Sequence, residues 1–149
     1  MPKLDINLGE EMAKMHPLLL RKMAIKQMKV LGGDNIGITG MAILDILKEK
    51  DPCRMGKIAK VMGFTMSAAT GAIDKMVEKD LVKRDRDKND RRVVEVSILP
   101  KGKRVIKKID TLRVNVANDV FAVFTEREKA EYIRLLRKAY DKLKGDQDA

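Results

Sequence analysis

Two short helical runs joined by Gly63-Phe64-Thr65 constrain this chain more than any other stretch. The first is Arg54-Met55-Gly56-Lys57-Ile58-Ala59-Lys60-Val61-Met62, long enough for two to three turns. Gly63 suits the left-handed end of such a helix, because it has no Cβ to clash there. Thr65 can cap the helix that follows, expected from Met66 to Lys79. In that helix Met66, Ala69, Ile73, Met76 and Val77 fall on the inward side, and Ser67, Thr70, Gly71, Asp74, Lys75 and Glu78 on the outward side. Two short helices around a tight glycine turn make a helix–turn–helix. The plain alternative is an αα-hairpin inside a bundle.

The next stretch separates the two readings. Leu81-Val82-Lys83-Arg84-Asp85-Arg86 is strand-like, and in Val93-Val94-Glu95-Val96-Ser97-Ile98 three apolar residues alternate with Glu95 and Ser97. Between them lies Asp87-Lys88-Asn89-Asp90-Arg91-Arg92, where Asp and Asn favour a turn. The result is a β-hairpin with a charged tip. Residues 79–108 hold twelve Lys or Arg against five Asp or Glu, in a chain of net charge +10. Most of the excess therefore surrounds the hairpin, and the partner it suits is a polyanion.

Flanking helices complete the reading. A first helix is expected between Gly9 and Leu31, with Met12, Met15, Leu19, Met23 and Val30 near helical spacing. Pro17 either kinks it or starts a new helix, and Gly32-Gly33-Asp34-Asn35 ends it. A second runs from a Thr39 cap to about Lys50, with Met41, Ile43, Leu44 and Leu47 inward, and Asp51-Pro52 breaks it. Pro100 opens a long helix to about Phe124, with a stripe of Val105, Ile109, Leu112, Val116, Val120 and Val123. Thr125-Glu126-Arg127-Glu128 is a capping box for a last helix whose buried face is Ile133, Leu136, Tyr140 and Leu143. The tail, 145–149, is expected to be disordered.

At 149 residues the chain is read as one domain, 1–149, with a core of Leu, Ile, Val, Ala and ten Met, since aromatics are 3% and Trp is absent. A lone Cys excludes an intrachain disulfide and fits a reducing, cytoplasmic setting. No apolar run approaches the ~18 residues of a membrane span. One His, one Cys and no glycine-rich phosphate loop leave no catalytic constellation, metal site or cofactor site to name, so an enzyme is not expected.

The chain resembles the MarR family of bacterial and archaeal transcriptional regulators over roughly residues 10–143. Ile58 to Thr65 looks like that family's third helix and turn. Thr70 to Val82 looks like its recognition helix, ending in Glu78-Lys79-Asp80-Leu81-Val82. Asp90-Arg91-Arg92 matches the Asp-x-Arg of its wing, and Val96 to Gly102 the junction that follows. The resemblance implies a mostly α fold with a small β-hairpin wing (α+β), a winged helix–turn–helix. Its DNA-binding lobe would span about 36–99, with dimerisation helices at about 9–31 and 100–144. Three positions depart from the family pattern. Gly71 stands where an Arg is common, Asp80 where Gly is usual, and Leu99 where a capping Thr is usual.

The expected partners are double-stranded DNA, a second copy in a homodimer, and a small-molecule effector, with no membrane. Thr65, Met66, Ser67 and Thr70 lie where a recognition helix meets base edges in the major groove, and Lys75 is assigned to phosphate. Arg92 is assigned to the minor groove by resemblance, with Asp90 bracing its guanidinium, and Lys88 and Arg91 to phosphates. By resemblance, Met12, Met15, His16 and Met41 line an effector cleft; the periodicity alone reads them as core or surface. Cys53, in the loop between the second and third helices, reads as an inert thiol. The expected role is a ligand-responsive repressor on a pseudo-palindromic operator. The alternative is a basic architectural or RNA-binding protein with little sequence preference.

Overall fold

In the computed structural model, which describes residues 6–31 and 36–147, the expected mostly helical α+β architecture is present. Its elements are α1 (Leu8–Leu31), α2 (Gly37–Glu49), β1 (Cys53–Arg54), α3 (Met55–Met62), α4 (Met66–Glu78), β2 (Val82–Arg86), β3 (Val94–Ile98), α5 (Pro100–Val120) and α6 (Glu126–Gln147). A 3-10 turn at Phe121–Val123 separates the last two helices. The chain, read from its length as one domain, divides into two compact units, Met1–Arg113 and Val114–Ala149.

The local signals explain most boundaries. Gly63 closes α3 at φ 65°, the left-handed conformation anticipated for it. Thr65 caps α4, its Oγ1 accepting the N–H of Ala68 at 3.1 Å. Asp80 takes φ 58°, so the chain leaves α4 through the left-handed region without glycine. In the second unit the capping box forms as read. The N–H of Thr125 donates to Glu128 Oε2 at 2.8 Å, and the N–H of Glu128 to Thr125 Oγ1 at 3.3 Å.

Other boundaries differ. Thr39 does not cap α2, which begins two residues earlier at Gly37 with no side-chain cap. Pro17 lies inside one continuous α1. The Gly32–Asn35 helix stop lies outside the described residues. The tail expected from Gly145 is helical as far as Gln147, with 148–149 outside the described residues. Cys53 is not in a loop. With Arg54 it forms β1, antiparallel to β3 through Cys53↔Val96 and Arg54↔Glu95, so the hairpin is part of a three-stranded sheet ordered β1-β3-β2.

The core of the first unit joins α2, α3, α4, the sheet and α5. Ile43, Leu44, Leu47, Ile58, Ile73, Leu81, Val82 and Val96 are essentially solvent-free. The stripe of α5 follows with Val105 and Ile109. Gly102, in the first turn of α5, lies so close to Leu81 that a Cβ there would run into the Leu81 carbonyl oxygen and Ile98. The Leu99 N–H donates to the same carbonyl at 3.0 Å. This joint fixes the start of α5 at the base of the hairpin.

Several faces expected to be buried are not. Ile133, Leu136, Tyr140 and Leu143 of α6 are 45–66% exposed, and Val123 is 82% exposed. On α1, Met12 and Met15 are exposed, while Leu19 and Met23 are half-buried. Spacing identified apolar faces, but among the described residues nothing covers these.

Candidate nucleic-acid interface

Helix α4 presents its N-terminal end outward. Met66, expected inward, is 53% exposed and sits beside exposed Ser67 and Ala68. One turn on, Gly71 faces open space, so the helix surface is low there. Thr65 Oγ1 is occupied as an acceptor by the cap, which leaves its hydroxyl proton free to donate. Thr70 is the reverse case. Its hydroxyl donates to the Met66 carbonyl at 2.8 Å and keeps acceptor capacity for a ligand donor.

The hairpin tip is organised by two carboxylates acting on backbone. Asp87 Oδ1 accepts the N–H of Asn89 at 2.7 Å and of Asp90 at 3.3 Å. These bonds hold the Asp87 carboxyl below the usual carboxylate range. Asp90 Oδ1 accepts the backbone N–H of Arg92 at 3.0 Å. The expected brace from Asp90 to the Arg92 guanidinium is therefore corrected. A short Asp chain reaches an amide two residues on with little loss of freedom, whereas the guanidinium sits at the end of a long mobile stem. Arg86 adds a clamp, Nη1 donating to the Arg91 carbonyl at 3.0 Å. The turn is held while the side chains of Lys88, Arg91 and Arg92 remain exposed.

These pieces converge. A groove of about 440 Å3 is lined by Met66 and Thr70 from α4, Arg84 and Arg92 from the hairpin, and Arg54 and Lys57 from the start of α3. It brings together Met66, Thr70 and Arg92. Lys75 lies apart, in a depression with Gly71, Lys79 and the first turn of α2. Arg84 Nη1 contacts Asp74 Oδ1 at 2.6 Å, fastening β2 to α4 and so hairpin to helix. Sequence reasoning missed Arg54, Lys57 and the Arg84–Asp74 pair. The first two were legible as cations at the opening of the helix that precedes a recognition helix, which crosses the backbone in such motifs. The pair was not, because it joins residues ten apart through tertiary packing.

The four residues expected at an effector cleft differ in setting. Met12, Met15 and His16 are exposed on α1, and Met41 is 6% exposed in the core. Apolar space occurs farther along α1, in a cavity of about 710 Å3 lined by Leu20, Ala24, Ile25, Met28, Leu31 and Ile38. A smaller one of about 180 Å3 adjoins Met28, Met41, Asp45 and Arg113, where Arg113 and Asp45 form a bidentate pair at 2.7 Å. Cys53 is buried, and burial pushes its thiol up, which disfavours the reactive thiolate. Among the described residues no helix is long and apolar enough to cross a membrane.

A family model described as the MarR family matches residues 37–94. An uncharacterized HTH-type transcriptional regulator of Bacillus subtilis (strain 168), YsmB, is 35% identical over 101 residues, covering 68% of this chain and 69% of that one. A second from the same organism, YpoP, is 30% identical over 96 residues, covering 64% and 68%. Among solved structures, a MarR family protein from Bacillus stearothermophilus superposes with a TM-score of 0.80 at 24% identity, covering 91% of this chain and 95% of that one. Streptococcus pneumoniae FabT in complex with DNA gives 0.77 at 18% identity, covering 92% and 98%.

Proposed function

The chain belongs to the MarR family, whose members are transcriptional regulators and not enzymes, and from that premise we propose that it is a repressor that binds a pseudo-palindromic operator as a homodimer. The observation that carries the reading is the shared groove, in which Arg92 of the wing faces Met66 and Thr70 of the recognition helix. Helix in the major groove and wing in the adjoining minor groove would then be read together. Hydroxyls read bases permissively and a Met methyl can touch thymine. Arg92 suits a narrow A·T-rich minor groove. Arg54 and Lys57 add phosphate contacts to those of Lys75, Lys88 and Arg91.

The exposed apolar faces of α1 and α6 support the homodimer, since a second copy supplies the missing cover. A two-fold dimer sets two recognition helices about one DNA turn apart and so favours an inverted repeat. A complex of that size on a promoter blocks polymerase, which is repression. An effector would act from the apolar cavity beside Leu20, Ile25 and Met28 rather than from Met12, Met15 and His16.

The test is fluorescence anisotropy on genomic fragments selected by the protein. Specific binding should exceed non-specific binding by about 10³-fold or more. Arg92→Ala should weaken binding across sequences and lower the slope of log K against log salt by about one per protomer. A specificity ratio near one would instead favour the architectural reading.

A further inference from the structure

The first two turns of α5 carry Lys101, Lys103, Arg104, Lys107 and Lys108 and no acid before Asp110. All five are exposed. This runs against local electrostatics. The start of a helix is its positive end and favours carboxylates, yet the first turn of α5 holds only cations. Where a chain keeps an unfavourable local choice, a binding role is the usual compensation.

The location supplies the continuity. Lys101 Nζ donates to the carbonyl of Lys79, the residue that ends the recognition helix, at 2.9 Å. Lys75 and Lys79 lie one turn apart on α4 and line one depression. Lys101, Arg104 and Lys108 follow at spacings of three and four, and so share a stripe along α5. A basic ridge therefore runs from the far end of the recognition helix onto α5. It lies at the base of the hairpin, displaced from the tip by the length of its paired five-residue strands, about 17 Å.

We propose that this ridge is a second, sequence-independent DNA-contact surface that takes the phosphates of the operator's flanks when the duplex bends toward α5. The proposal rests on the reading of the chain as a duplex-DNA-binding regulator. The three charges of the stripe, over eight helical residues, give about one per 4 Å of axis, close to the one per about 3.4 Å along a single strand of duplex DNA. Four of the five cations in these turns are Lys, which serve as point charges for phosphate and carry no base readout. That density suits a regular polyanion better than an acidic protein surface, where carboxylates are spaced irregularly.

The test uses the full chain and two duplexes with the same selected operator, one of about 20 base pairs and one extended by about ten on each side. Wild type should bind the longer duplex about tenfold or more tightly at low salt, with a log K–log salt slope steeper by about two to three per protomer. The double variant R104Q/K108Q, both residues on that stripe, should reduce the longer duplex toward the level of the shorter one and leave the shorter one unchanged. Its thermal midpoint should stay or rise, since cations leave the positive end of a helix. Equal slopes for both duplexes in wild type would overturn the proposal. So would a variant that weakens both duplexes equally, that changes neither, or that melts earlier; a change in neither would turn attention to an acidic protein partner. Wild type that binds neither duplex would remove the DNA reading itself, which distinguishes that failure from this one.

Discussion

In α2, Ile43, Leu44 and Leu47 are at most 1% exposed, whereas in α6 Ile133, Leu136, Tyr140 and Leu143 are 45–66% exposed. Both helices set apolar residues at spacings of three and four, and on paper their faces are alike. The difference is what surrounds them. The face of α2 meets α3, α4 and β3 within its own unit, where every neighbour brings its own apolar side. The face of α6 meets nothing comparable among the described residues. Periodicity thus states that a face seeks cover and is silent on whether the same chain supplies it.

Leu136→Lys should break this comparison most forcefully. If α6 is covered by a second copy, the substitution acts twice per dimer, at about 1.5–3 kcal/mol per buried leucine. Sedimentation at micromolar concentration should then shift from dimer to monomer. An unchanged oligomer would make α6 a solvated helix and end the contrast. Ile73→Ala probes the other side. Its side chain is solvent-free, so the loss should be about 2–5 kcal/mol in urea unfolding, whatever the protein concentration. A loss that depends on concentration would mean the two regions are not energetically distinct.

The caps sharpen the comparison on a smaller scale. Thr65→Ala and Thr125→Ala remove equivalent hydroxyl caps from the two regions, and each should cost about 0.5–2 kcal/mol. Only the first should also weaken DNA binding, measured by anisotropy, because only the first frays the recognition helix. The smallest effect is at the wing. The Asp87 carboxyl is held below its usual range, so its contribution is complete above the ordinary carboxylate pKa of about 4 and is lost as pH falls through that region toward the lowered value. An NMR titration should show the Asn89 and Asp90 amides moving together there, with the cores of both units unmoved.

What was legible in the sequence was local chemistry. Gly63, Thr65 and the Thr125–Glu128 box each satisfy backbone groups within a few residues, and each was read from its own neighbourhood, whereas Asp80 stood out only against the family pattern. The wing was legible for the same reason. What was not legible needed a partner distant in sequence. β1 is two residues long and exists because β3 offers it a ladder, so no alternation could announce it. The Arg84–Asp74 contact, the groove that unites Arg54 and Lys57 with Arg92, and the true fate of Met66 are likewise tertiary. Asp90 failed differently. The sequence showed a carboxylate two residues before an Arg, and the nearer amide took it.

Gly102 sets a limit on how this molecule can change over generations. Most helical glycines are open to replacement by alanine, which gains backbone order. Here the added methyl would collide with the Leu81 carbonyl, at the joint between the wing's base and α5. The exposed side chains of α4 and the hairpin can change one at a time, but the joint beneath them admits a hydrogen at Gly102 and, without a backbone shift, nothing larger.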